Sequence, residues 1–192
     1  MTPRVHGNGF IQLDLTETTR LHVWGDPRIP RQRVMTPIHS HVFDFTSTVY
    51  KGRLIHIEYN VVSSETGTFQ MYQVNPTDND NTILVNTGYY YNIIPYHTKV
   101  IEKGQSYSFT ANRFHENLAA EPTVTIMEKY GSTLAENPNG PRPNVLAPRN
   151  IEPDNTFDRY HDESLLWSII NNNVPVDLFN KCIDDYYQTR TL

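Results

Sequence analysis

Apolar and polar residues alternate through most of the first 130 positions. In residues 54–62 (LIHIEYNVV), Ile55, Ile57, Tyr59 and Val61 share one parity, and His56, Glu58 and Asn60 the other. That is the period-2 pattern of a half-buried strand. Residues 9–14 (GFIQLD) and 20–24 (RLHVW) alternate in the same way until Gly25-Asp26-Pro27 breaks the run, and a β-rich stretch at 39–50 ends at Lys51-Gly52. Further strand-like segments fall at 67–74, 82–91, 93–101, 106–110 and 122–130, with PTDNDN (76–81) as a turn between two of them. The pattern predicts eight to ten short strands and no helix before residue 150, which is the signature of an all-β sandwich or barrel.

The pattern changes after residue 131. Pro138, Pro141, Pro143, Pro148 and Pro153 are interleaved with asparagines over 132–161, and apolar periodicity is lost, so this segment reads as an extended arm without a core of its own. Beyond it, Asp162 or Ser164 can cap a helix whose Leu165, Leu166, Ile169 and Ile170 form one apolar stripe, and Asn171-Asn172-Asn173 would end it. Pro175 opens a second helix carrying Val176, Phe179, Ile183 and Tyr186 or Tyr187. Three regions are therefore expected: a β-barrel domain at 1–131, the arm at 132–161, and C-terminal helices at 162–192. Those helices would pack either on the barrel or on a partner subunit, and the second alternative makes the protein a homodimer. Cys182 falls on the apolar side of the second helix and reads as buried filler.

Composition narrows the function classes. A chain of 192 residues suits one domain or one domain with an extension. With 16 Lys+Arg against 21 Asp+Glu the net charge is −5, and no long basic run is present, which argues against a nucleic-acid partner. No apolar run reaches the roughly 18 residues of a membrane span, so no membrane partner is expected. A single cysteine and an N-terminus without a charged and then apolar leader point to a reducing, cytoplasmic setting.

Candidate chemistry lies in the histidines. His39-Ser40-His41 places two imidazoles on one face of an extended segment, where both can reach one ion. His115, far along the chain, can join them if the barrel brings its strand alongside. His22 and His56 read as solvent-facing or hydrogen-bonded strand residues, His97 as a turn residue, and His161 carries no assigned chemistry. Tyr89-Tyr90-Tyr91 is explained by cross-strand packing. Glu116 points away from His115 in an extended chain and is a weak general-base candidate.

At this point the sequence resembles a family. HSHVFDFTSTVYKG (39–52), followed about 50 residues on by GQSYSFTANRFHEN (104–117), is similar to the paired motifs of the cupin superfamily, and the likeness covers roughly residues 35–130. In the second motif Gly104 and His115 keep their spacing, while Thr110 stands where a proline is usual and Asn112 where a glycine is usual. In the first motif Phe45 replaces the usual glutamate, and Asp44 beside it has the wrong parity to join the histidines without a bulge. The resemblance implies a cupin-type antiparallel β-barrel, a two-sheet jelly roll, holding one divalent metal through His39, His41 and His115, with Asp44 left open as a fourth ligand. Fe(II) is the first choice, with Ni, Mn or Zn as alternatives.

Loss of the glutamate gives a weaker likeness to the thiol dioxygenases. There Met127 stands near a supporting histidine and Tyr130 roughly at a tyrosine, while Arg33, Arg53 and Arg113 are only nominal counterparts of the carboxylate-binding arginine. Small cupin-like proteins match better. Two functions follow from the resemblance: an oxygen-dependent, dioxygenase-like enzyme on a small polar substrate, or a non-catalytic cupin that binds a small molecule or serves as an oligomerisation core.

Overall fold

The computed structural model describes residues 1–30, 37–76, 82–130, 142–151, 153 and 162–188; Arg33, the turn at 77–81, most of the Pro-rich arm and His161 lie outside them. Among the described residues eleven strands form two antiparallel sheets. The first sheet runs, in spatial order, β1 (Arg4–Val5), β2 (Ile11–Asp14), β3 (Thr19–Trp24), β10 (Thr123–Tyr130), β4 (Asp44–Lys51) and β8 (Ser106–Phe109). The second runs β11 (Asn144–Pro148), β6 (Phe69–Pro76), β7 (Thr82–Glu102), β5 (Arg53–Ser63) and β9 (Phe114–Leu118). This is the all-β, two-sheet architecture expected from the alternation, arranged as the jelly roll that the resemblance implied, and α1 (Glu163–Asn173) and α2 (Val176–Gln188) add the helical hairpin.

The chain passes between sheets at Gly52, the single residue separating β4 from β5. Its φ is +70°, and a Cβ there would lie 2.5 Å from Thr123 Oγ1 and 2.8 Å from the Pro122 carbonyl oxygen. Only glycine fits such a corner. Two differences from the sequence reading have local causes. The segments expected at 82–91 and 93–101 are one strand of 21 residues, because bulges in the partner registers at Gln70/Tyr72 and Glu58/Tyr59 absorb the mismatch. Residues 144–148 of the Pro-rich arm form an edge strand on β6, with Leu146 fully buried and Pro148 at the strand end, where no ladder donor is lost.

The first sheet is covered on both faces. Leu21, Val23 and Val124 face the helices and pack with Leu166, Ile169, Ile170, Leu178 and Cys182. Trp24, Phe45, Val49 and Met127 face the interior between the sheets, where they meet Leu54, Ile101, Tyr107 and Phe109. Asp162 caps α1 by accepting from the Ser164 amide at 2.9 Å, as its position in the sequence predicts. At the other end of α1 the buried Asn173 side chain donates to Asp26 Oδ2 at 2.6 Å and to the Ile169 carbonyl, and it accepts from Lys51 Nζ at 3.2 Å. The helix is thereby fixed both to β4 and to the segment that follows β3. Among the described residues no helix is long and apolar enough to cross a membrane.

Candidate functional site

The three sequence-predicted histidines meet at the edge of the second sheet. His39 precedes β4, and its backbone pairs with His115 of β9 in both directions, at 2.9 and 3.0 Å. An antiparallel pair of this kind sets its two side chains on the same face. The His41 carbonyl accepts from the Asn112 amide at 2.7 Å, which holds the segment against the turn before β9. Asn112 has φ +63°, the conformation that the glycine usual at this motif position would supply. One potential ligand nitrogen from each of His39, His41 and His115 lies within 4.8 Å of the others.

The His41 and His115 Nε2 atoms are 3.0 Å apart. Two imidazole nitrogens each about 2.1 Å from one ion are separated by about 3.0–3.5 Å. This pair therefore has ligand spacing, and the widest pair, within 4.8 Å, exceeds the upper end of that range by up to about 1.3 Å. The Nδ1 of His39 lies 2.8 Å from the Pro37 carbonyl oxygen, which accepts a hydrogen bond from it, with the Asn8 side-chain nitrogen 3.0 Å from the same atom. That leaves the Nε2 lone pair of His39 for a ligand role. His115 Nδ1 lies 3.4 Å from His56 Nδ1.

Burial keeps these rings neutral. It pushes His39 down to about 4, and it holds His41 and His115 well below the usual imidazole range, where each neighbouring imidazole would also oppose a positive charge. Neutral imidazole is the form that binds metal. The donor set therefore fits a divalent ion.

The other candidate residues are placed elsewhere. Asp44 Oδ1 accepts from the Ala111 amide at 2.7 Å, so its carboxylate is committed to the turn. Phe45, in the place of the usual glutamate, is 2% exposed, and its ring lies 5.0 Å from that of His41. Tyr130 is exposed, and Met127 is buried in the interior. Arg53 pairs with Glu121 on the surface. Arg113 pairs with Glu58, which also accepts from the Tyr96 hydroxyl at 2.5 Å. Glu116 accepts a short hydrogen bond from the Tyr59 hydroxyl.

Two histidines that read as ordinary strand residues are part of the surroundings. His56 is 2% exposed, lies 2.9 Å from Asn117 Oδ1 through Nδ1, and sits against His115. His22, 6% exposed, lines a cavity of about 30 Å³ together with His39, His41 and His115. Its shared parity with Trp24 was the available signal. That signal was hidden because the helices bury the opposite face of β3 as well. A larger cleft, about 710 Å³, opens around Thr16, Glu17, Lys129 and Tyr186; none of the three histidines lines it, though Arg20 lines both it and the small cavity.

No family model matches the chain, and no curated protein matches it. Among solved structures it is similar to hydroquinone 1,2-dioxygenase from Sphingomonas sp. TTNP3 with 4-hydroxybenzoate bound (9% identity, 62% of this chain, TM-score 0.31). It is also similar to hydroquinone 1,2-dioxygenase PnpCD in complex with Cd2+ and 4-hydroxybenzonitrile (12% identity, 62% of this chain, TM-score 0.32). A third neighbour is hydroxypropylphosphonic acid epoxidase from S. wedmorenis (10% identity, 66% of this chain, TM-score 0.32). The matches span 63%, 61% and 55% of those three chains, under two thirds of each. At these TM-scores the chemistry has to be argued from the chain's own geometry.

Proposed function

We propose that this chain is a cupin-type protein in which His39, His41 and His115 hold one divalent metal ion, and that it acts on a small polar substrate. The observation that carries the reading is the convergence of three neutral imidazoles from two distant segments, with two Nε2 atoms 3.0 Å apart. Three neutral imidazoles leave the charge of a divalent ion uncompensated, and among the described residues no carboxylate lines the adjoining cavity. The site thus suits an anionic or readily deprotonated ligand. When bound, the metal supplies Lewis acidity and open coordination positions and, as Fe(II), redox chemistry with dioxygen. Oxygen-dependent oxidation with Fe(II) is the favoured reaction, with isomerisation or hydrolysis on Ni, Mn or Zn next.

The protein's own groups have definite roles in this scheme. The Pro37 carbonyl fixes the His39 tautomer, and the buried ring of His56 packs beside that of His115. Phe45 and Phe109 pack against the imidazoles and exclude water. The cavity of about 30 Å³ favours a second reading, a non-catalytic site for one very small ligand, because little room is left for an organic substrate.

Elemental analysis of chain purified without chelators tests the site. About one metal per chain is expected, falling to a small fraction in His39→Ala and His115→Ala; full occupancy in both variants would falsify the assignment. Oxygen uptake by the Fe(II)-loaded protein on a panel of small polar substrates separates the two readings. Binding without turnover favours the non-catalytic one.

A further inference from the structure

The cavity beside the three imidazoles contains a polar atom with nothing to bond. His22 comes from the middle of β3, its ring 4.8 Å from that of Phe10 and 5.7 Å from that of Trp24. It is 6% exposed, and its Nε2 is buried without a hydrogen-bond partner. A buried nitrogen left in this state is penalised by its lost hydration, and a bound molecule that bonds it removes the penalty. His22 is not itself a fourth ligand in this geometry, since it lies outside the set of nitrogens within 4.8 Å of one another.

The remaining walls define the ligand. Arg20 and Gln12 line the same cavity with polar atoms held by Asp14 Oδ1, at 3.0 Å from Arg20 Nε and 2.9 Å from Gln12 Nε2. His22 Nε2 is therefore the unengaged polar atom there, and among the described residues no acidic side chain lines the cavity. Its volume of about 30 Å³ is roughly two to three times the 10–15 Å³ that one water requires, which corresponds to two or three heavy atoms. We infer that the cavity is an anion subsite: it takes a small anion of two or three heavy atoms that accepts a hydrogen bond from His22 Nε2 while its other end faces His39, His41 and His115. The inference rests on the reading of those three histidines as a metal site. It assigns His22 as the residue that selects the ligand, and it limits ligand size.

The test uses the full chain loaded with Co(II) and azide as the probe, read by the visible absorption of Co(II). Wild type is expected to show a saturable change at one azide per cobalt. His22→Phe should keep one cobalt per chain and bind azide at least tenfold more weakly, while His22→Gln, which keeps an N–H, should retain most of the affinity. His22→Leu serves in place of the phenylalanine variant should that variant fail to fold. Formate should compete with azide, and benzoate should not. Azide affinity in His22→Phe or His22→Leu within twofold of wild type overturns the role of His22, and benzoate competing as well as formate overturns the size limit. Wild type that binds no stoichiometric cobalt, measured before azide is added, overturns the metal reading and the subsite with it. Cobalt bound without any response to azide overturns the subsite alone.

Discussion

Phe45 packs edge-on against His41, with its ring 5.8 Å from that of His115, where the resembled motif carries a glutamate. The chain thus leaves its imidazoles without a negative neighbour on that side. Phe45→Glu should lower the stability of metal-free protein by about 2–4 kcal/mol, because it buries a carboxylate among apolar rings. Added metal should recover more stability in the variant than in wild type. Calorimetric melting with and without Zn(II) checks this, and equal metal-induced shifts in the two proteins would count against the site. Asn112 makes a second case. Asn112→Ala keeps the β-carbon at positive φ but removes the short polar side chain that makes the conformation tolerable, and should cost about 1 kcal/mol in denaturant melts, while Asn112→Gly, which has no β-carbon, should be close to neutral. At this scale the histidine triplet was legible, because His-x-His spacing and strand parity are local properties. His22 was not, because nothing in RLHVW marks which of two buried faces holds a cavity.

Strands and helices were read from periodicity, and periodicity works where one face meets water. It located β5, β10 and both helices closely, including the Asp162 cap. It missed β11, whose prolines suit an arm and whose pairing with β6 is decided only in three dimensions. The joint between the helices and the first sheet was equally invisible, since it depends on Asp26, Lys51 and Asn173 meeting across the fold. Asn173→Ala should cost about 1–3 kcal/mol by stranding buried partners, with metal content unchanged. The Asp26 carboxyl is held far below the usual carboxylate range, first by the Arg28 side chain and also by Asn173. Folding therefore favours its ionised form, so its contribution is full above the unfolded pKa of 3.8 and is lost as pH falls below it. The difference in melting temperature between wild type and Asp26→Asn should narrow as pH drops from about 5 to about 2. A constant difference would mean that Asp26 acts through shape alone.

Across the whole molecule, the helical hairpin covers one face of the first sheet while the second sheet leaves much of β7 bare. Residues such as Tyr89 (64% exposed) and Ile94 (56%) lie on the uncovered stretch. A chain ending at residue 161 would uncover Leu21, Val23 and Val124 together. It should form soluble aggregates in size-exclusion chromatography instead of a single sharp peak, and a well-behaved truncated species would show that the sheet needs no cover.

The same asymmetry bears on how the molecule opens. The strands of the first sheet are clamped between an interior and a pair of helices, so their amide protons should exchange with deuterium only when the whole fold comes apart. The distal half of β7 and its partners on β5 and β6 rest on few buried side chains, and their amides should exchange through local excursions. His39 and His115 are bonded to each other at the end of the second sheet, on the boundary between these regimes. An ion held across them would tie the looser sheet to the firmer one and slow exchange in β9 ahead of every other strand.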